Sequence, residues 1–199
     1  MPERPETTAS PSHESLKGIV YCALFCALII VGGYISIPIG PVPIAFADFF
    51  VMMAALFLGP KRALASVGLY IALGALGLPV FAGGKAGLAV LAGPTGGFLV
   101  GYLLLAAVAG SVAVAGRRKP WALLVALLAG NVALYAVGVP WLKFQMGIDW
   151  AAALAAGLVP FLPGLVAKIA LATVLAAPVA RRFASTMQIA ETDAPAGNA

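Results

Sequence analysis

Residues 43–80 read PIAFADFFVMMAALFLGPKRALASVGLYIALGALGLPV, and the way this stretch divides decides the fold. It holds two apolar runs, 43–59 and 62–80, parted by Gly59, Pro60, Lys61 and Arg62. A membrane-crossing helix needs roughly 20 mostly apolar residues to cover about 30 Å of hydrocarbon. The first run is short and carries Asp48, so a hydropathy window scores it poorly. Counting it as a span places Lys61 and Arg62 on the cytoplasmic side, whereas dropping it moves both into an outer loop.

Working outward, four further runs occupy 17–37, 96–115, 120–140 and 150–180, the last broken by Pro160 and Pro163. Helices are the open-chain solution in lipid, because each satisfies its own backbone. With six spans and an inner N-terminus, Arg4, Lys17, Lys61, Arg62, Arg117, Arg118, Lys119, Arg181 and Arg182 all fall inside. Lys85 and Lys143 fall outside, and Lys168 lies within a span. That asymmetry is the positive-inside pattern. The expected fold is therefore an all-α integral membrane protein with six transmembrane helices, both termini cytoplasmic and a ligand cavity under the outer loops. The expected boundaries are a disordered cytoplasmic tail at 1–15, a six-helix domain at 16–183 and a second disordered tail at 184–199. The first tail lacks the apolar region of a signal peptide. The outer connections at 38–44, 78–97 and 140–150 are rich in Gly and Pro, with Trp141 and Trp150 bracketing the last. Trp121 stands at the inner end of the fifth span, and all three tryptophans occupy interfacial positions.

Composition agrees. Of 199 residues, 62% are apolar and 10% charged; with glycine counted and tyrosine left out the apolar share is roughly 71%, against about 45–50% for a soluble domain. The net charge of +5 is a topology signal once its residues are placed, not a nucleic-acid footprint. Cys22 and Cys26 share a helical face and cannot staple a loop. The one histidine, His13, sits in the polar N-terminal segment, which removes His-based metal sites and Ser-His triads.

Ionisable groups within the membrane are costly and mark candidate sites. Here they are Asp48 and Lys168. At about 1.5 Å per residue, Asp48 lies about 20 Å from Lys61, Lys168 about 20 Å from Arg181 and Asn131 about 18 Å from Lys119. All three occupy one layer in the outer half of the bilayer. Two readings stay open: an Asp48–Lys168 pair that ties two spans, or a Lys168 that meets a substrate carboxylate while Asp48 and Asn131 present an acceptor and an amide. The pair in the empty site can give way to a ligand contact in the filled one. FAGGKAGLAVLAGPTGG (81–97) lacks the Gly-Lys-Ser/Thr of a P-loop, and its glycines suit a cap over a pocket. Lys85 is either a solvated charge or part of the pocket mouth. Ala23 and Ala27 make a small-xxx-small pair for a partner helix. Pro160 and Pro163 either kink the chain or free carbonyls at a binding site.

GPVPI (40–44), LFLGPKRALASVGLYIALGALGLPVFAGGKAGLAVLAGPTGGFLVGY (56–102), GN (130–131) and VPFLPG with Lys168 (159–168) together resemble the BioY family. These are the biotin-specific substrate-capture (S) components of energy-coupling factor (ECF) vitamin transporters. The resemblance implies a six-helix subunit of the cytoplasmic (inner) membrane that takes biotin from outside. It also implies docking through Ala23 and Ala27 on a transmembrane coupling subunit with two ATPases, so that ATP is used by partners and no cofactor belongs to this chain. The candidate substrate-binding residues are Lys168, Asn131, Asp48, Lys85 and Thr95, with no catalytic residue and no metal ligand. The chain departs from the family pattern at Leu165, where an Asp commonly precedes the lysine, and Asp48 is expected to supply that acid. Ala45 and Ala47 stand where Thr and Gln are frequent, Lys85 where Asn is, and Leu99 where Arg occurs.

Other readings are a carrier for a related small carboxylated vitamin, or a membrane channel or structural protein. A membrane enzyme needs several acids or histidines to hold a metal, and the spans offer one acid and no histidine.

Overall fold

The apolar runs become helices, and each break falls where glycine or proline stops the backbone ladder. The computed structural model describes residues 13–192, with side chains over 16–179. Residues 1–12 of the tail expected at 1–15, Arg4 among them, residues 193–199 of that expected at 184–199, and the side chains of Arg181 and Arg182 lie outside the described residues. In chain order come α1 (His13–Tyr34), strands β1 (Ser36–Ile37) and β2 (Ile44–Ala45), and α2 (Ala47–Ala75). They are followed by α3 (Leu88–Ala92), α4 (Gly96–Ala115), α5 (Pro120–Met146), α6 (Trp150–Gly157) and α7 (Leu162–Thr192). Among the described residues five stretches are long and apolar enough to cross a membrane: Leu16–Tyr34, Ala47–Ala75, Gly96–Ala115, Pro120–Met146 and Trp150–Val179.

α2 is not one continuous helix. Gly59 holds φ 76° and ψ −180°, a conformation that side chains disfavour, and Pro60 has no N–H to continue the ladder. The contacts on either side show what the break does. At one end, the Phe46 N–H donates to the Gly32 and Ile35 carbonyls at the end of α1 (3.0 and 2.9 Å), and the Phe81 ring fills the space beside Gly74. At the other, the Arg62 carbonyl accepts from Cys22 near the start of α1 (3.5 Å) and from Ser66 (3.0 Å). Both ends of α2 thus lie beside the end of α1, while Gly59–Pro60 lies beside its start. The chain descends, turns and returns.

That turn is braced by α4, where a Cβ at Gly110 would stand 2.6 Å from the Pro60 nitrogen, so only glycine fits. Arg118, in the α4–α5 link, donates from Nη2 to the Phe57 carbonyl (3.3 Å), just before the break. Burial lowers the Arg118 pKa from its ordinary value, and Arg117 and Arg118 take φ of 52° and 50° to make this short link.

The core lies between α1, α2, α4 and α5. Small residues let backbones approach: Gly130 meets Leu105 and Ala109, and Gly138 meets the Phe98 ring. α7 is held more lightly, since only 22% of its apolar window with α6 is buried. Its inward stripe is Lys168, Ile169, Ala172 and Ala176. Residues such as Val132, Val166 and Val174 point outward, as surfaces against lipid do.

Three boundaries differ from expectation, and the first is the tail expected at 1–15, because α1 already begins at His13. The expected connection at 140–150 is mostly helix: α5 runs through Pro140 and ends at Gly147, in the left-handed conformation at φ 64°, and Asp149 caps α6 by accepting from the Ala152 N–H (2.7 Å). One proline removes one ladder bond, and a left-handed glycine is the stronger stop. The tail expected from 184 begins as helix, because ASTMQIAET continues α7 to Thr192 without Gly or Pro.

Candidate binding site

The antiparallel ribbon β1–β2 pairs Ser36 with Ala45 and Ile37 with Ile44, and it delivers the chain straight into α2. Asp48 then falls in the first turn of that helix, where the Phe49 N–H donates to its Oδ1 (2.9 Å). From α7, Lys168 Nζ donates to the same Oδ1 (2.7 Å) and to the Ala45 carbonyl (2.7 Å). It also stands 5.6 Å from the centre of the Phe46 ring. Both side chains are about nine-tenths buried, at 10% and 11% exposure. An ion pair at this depth is strongly coupled, because removing either partner strands a charge. Phe46, Phe49 and Phe50 pack round it, with ring centres 4.7–5.8 Å apart.

A cavity opens on the other side of this wall. It is lined by Val42, Pro43, Ala45 and Ala47 from the ribbon and α2, Tyr70 from the returning half of α2, and Phe81, Ala82, Lys85 and Val90 from the loop over it. Thr95, Phe98, Leu99 and Tyr102 of the α4 entrance complete the lining. The surface is mostly apolar and aromatic, with a few polar groups, as small-molecule sites are. Ala45 joins the two parts: it lines the cavity, and its carbonyl holds Lys168.

The expected site residues separate into groups. Asp48 and Lys168 come together directly behind the cavity wall. Lys85 and Thr95 line the cavity itself. Lys85 is exposed, its carbonyl accepting from the Phe81 N–H (3.0 Å), and Thr95 Oγ1 donates to the Val90 carbonyl (3.4 Å). Asn131 lies deeper and fully packed. Its Nδ2 donates to the Leu127 carbonyl (2.8 Å) and meets Met52 Sδ at 3.5 Å, while Oδ1 has no hydrogen-bond partner. Met52 is one helical turn beyond Asp48, so Asn131 and the ion pair address neighbouring turns of α2. Leu165 packs against the core and contributes no acid. Ala23 lies elsewhere, exposed on α1 in a groove with Ile19, Cys22, Arg62, Ala65 and Leu69, and Ala27 is exposed one turn further along α1. Sequence reasoning missed Tyr70, Tyr102, Phe81 and Phe98; tyrosines inside apolar spans were the available signal, since a buried hydroxyl needs a polar neighbour.

A multi-pass helical bundle with a loop-roofed cavity and an intramembrane ion pair behind its wall defines a membrane solute-binding protein of the transporter class. The BioY family profile matches residues 5–185, and the chain belongs to that family. The family is one of transporters, not enzymes. The chain is 46% identical over 108 residues to the biotin transporter BioY of Thermotoga maritima, covering 54% of this chain and 64% of that protein. It is 48% identical over 94 residues to the probable biotin transporter BioY of Pyrococcus horikoshii, covering 47% and 58%. Both alignments thus span less than two thirds of those relatives. With the biotin transporter BioY2 of Lactococcus lactis subsp. cremoris, identity is 33% over 174 residues, 87% of this chain and 96% of that protein. Among solved structures, the S-component for biotin from an ECF-type ABC transporter superposes with a TM-score of 0.78 at 34% identity, covering 86% of this chain and 94% of that one.

Proposed function

We propose that this chain is the biotin-capturing S component of an ECF-type transporter. The observation that carries the reading is the fold match to the biotin S-component along 86% of the chain, with an apolar cavity backed by a buried lysine. The cavity takes the ring system and chain of biotin. Lys168 pairs with the carboxylate by exchanging it for Asp48, in a low-dielectric setting where a charge-assisted bond is strong. Asp48 supplies the acid absent at Leu165 and, once released, accepts from polar groups of the solute. Lys85 and Thr95 receive the solute at the mouth, and Asn131 offers its Oδ1 one turn deeper.

The reading places the protein in the cytoplasmic membrane with six spans, the two halves of α2 counted separately, and both termini inside. The reversal at Gly59–Pro60 and the basic residues Lys17, Lys61, Arg62 and Arg118 at one end of the bundle support it. Ala23 and Ala27 face a transmembrane coupling subunit, and two ATPase subunits supply the ATP step.

Binding to the purified full-length protein in detergent tests the proposal by calorimetry with biotin, biotin amide and unrelated vitamins. Biotin is expected to bind at micromolar concentration or below, and more tightly than the amide, which has no carboxylate charge. No heat with biotin at these concentrations overturns the assignment.

A further inference from the structure

The roof of the cavity is built from short backbone segments that α5 side chains also hold. α3 has five residues, too few for its last carbonyls to find partners within the helix. Two side chains of α5 reach these carbonyls, that of Gly93 also accepting from the Gly96 N–H (3.0 Å). Trp141 Nε1 donates to the Gly93 carbonyl (2.9 Å), and Gln145 Nε2 donates to the Ala92 carbonyl. Residues 141 and 145 are one turn apart and share a face of α5. The fit beneath them is close: a Cβ on Gly97 would lie 2.2 Å from the Trp141 Cβ, and one on Gly96 would lie 1.7 Å from the Leu91 carbonyl oxygen. The anchored carbonyls lie between Val90 and Thr95, which both line the cavity.

We propose that Trp141 and Gln145 are positioning residues of the solute site: they latch the α3–α4 roof onto α5 and set how fast a bound solute escapes. The proposal rests on reading the cavity as the biotin site. A solute under this roof leaves only when the roof lifts, and lifting it breaks both side-chain bonds. One hydrogen bond corresponds to about a fivefold change in escape rate.

The test uses full-length protein in detergent, as wild type, Trp141→Phe, Gln145→Glu and the double variant. Phe keeps an aromatic ring over Gly97 without the donor, and Glu keeps the shape of Gln while only accepting. Stopped-flow measurement with biotin is expected to show koff about fivefold faster in each single variant and more than tenfold faster in the double. Association should stay within about twofold, and the melting temperature of the biotin-free protein should be nearly unchanged. Unchanged koff overturns the latch. So does a variant whose melting temperature and kon fall together with the rise in koff, since that marks general support of the fold. Hydrogen exchange of amides 87–96 without biotin reads the latch independently: faster exchange in the variants supports it, and equal exchange overturns it. Failure of the wild type to bind biotin, with the exchange difference present, condemns the solute assignment and not the latch.

Discussion

Two polar insertions meet α2 one turn apart, and the fold satisfies them in different ways. Asn131 turns back on its own helix, donating to the Leu127 carbonyl four residues earlier, and touches α2 only through the soft sulfur of Met52. Lys168 finds all its partners elsewhere: the Asp48 carboxylate, the Ala45 carbonyl and the Phe46 ring, some 120 residues away in sequence. The first arrangement joins nothing that packing does not already join. The second ties α7 to α2 beside the buried stripe of Ile169, Ala172 and Ala176. It also places the Asp48 charge one residue from Ala47, which lines the cavity. An intramembrane polar group is informative about function when its partners are remote and replaceable, and much less so when its own helix satisfies it.

The largest effect expected is at the pair. Lys168→Met leaves the Asp48 carboxylate buried with backbone donors alone, and should destabilise the protein by about 3–5 kcal/mol, the range for breaking a buried ion pair. Biotin affinity should fall by about 2–5 kcal/mol. The double variant Asp48→Leu/Lys168→Met separates the two roles, because replacing both charges by apolar groups of similar volume is often neutral or stabilising. Melting temperature should return close to that of the wild type while biotin binding stays lost. Recovery of binding in the double variant would show the pair to be only a tie between α2 and α7.

The same contrast explains what could be read from the sequence. The Asp48–Lys168 layer was legible because charge is rare in these spans and its depth follows from residue counting. The reversal at GPKR was legible because a glycine–proline pair interrupts a helical ladder and basic residues are costly within an apolar run. The cavity lining was legible only in part: Lys85 and Thr95 were expected and line it, whereas its aromatic residues were not. α4 is apolar on every side, so helical periodicity assigns no inward face and Phe98 could not be told from residues against lipid, whereas the hydroxyls of Tyr70 and Tyr102 were the signal available. The end of α5 was misplaced because Pro140 was read as a stop, although Gly147 and the Asp149 cap decide it. Trp141, expected at an interface, is exposed and also donates its N–H to the Gly93 carbonyl.

Asn131 supplies a smaller and sharper test. The Leu127 carbonyl already accepts from the helical backbone, so Asn131→Leu strands no acceptor there, and the unpartnered Oδ1 has no bond to lose. Thermal unfolding should therefore show a change of about 1 kcal/mol or less. Biotin affinity should drop by about one hydrogen bond, roughly 0.5–1.5 kcal/mol, if the solute reaches that oxygen. A loss of stability as large as that of Lys168→Met would erase the distinction between the two insertions.

The smallest effect is expected at Lys85, whose charge is exposed at the cavity mouth and reaches any carboxylate through solvent. Exposed pairs are weak and screened by salt, whereas buried ones are screened far less. Lys85→Ala should thus weaken biotin binding by about two- to fivefold at low ionic strength. At 0.5 M salt the variant and the wild type should converge, while the deficit of Lys168→Met should persist. Calorimetric titration of the three proteins at two salt concentrations decides it. If the Lys85 deficit survives high salt and exceeds that of Lys168→Met, the carboxylate sits at the mouth, and the buried lysine serves the helix packing alone.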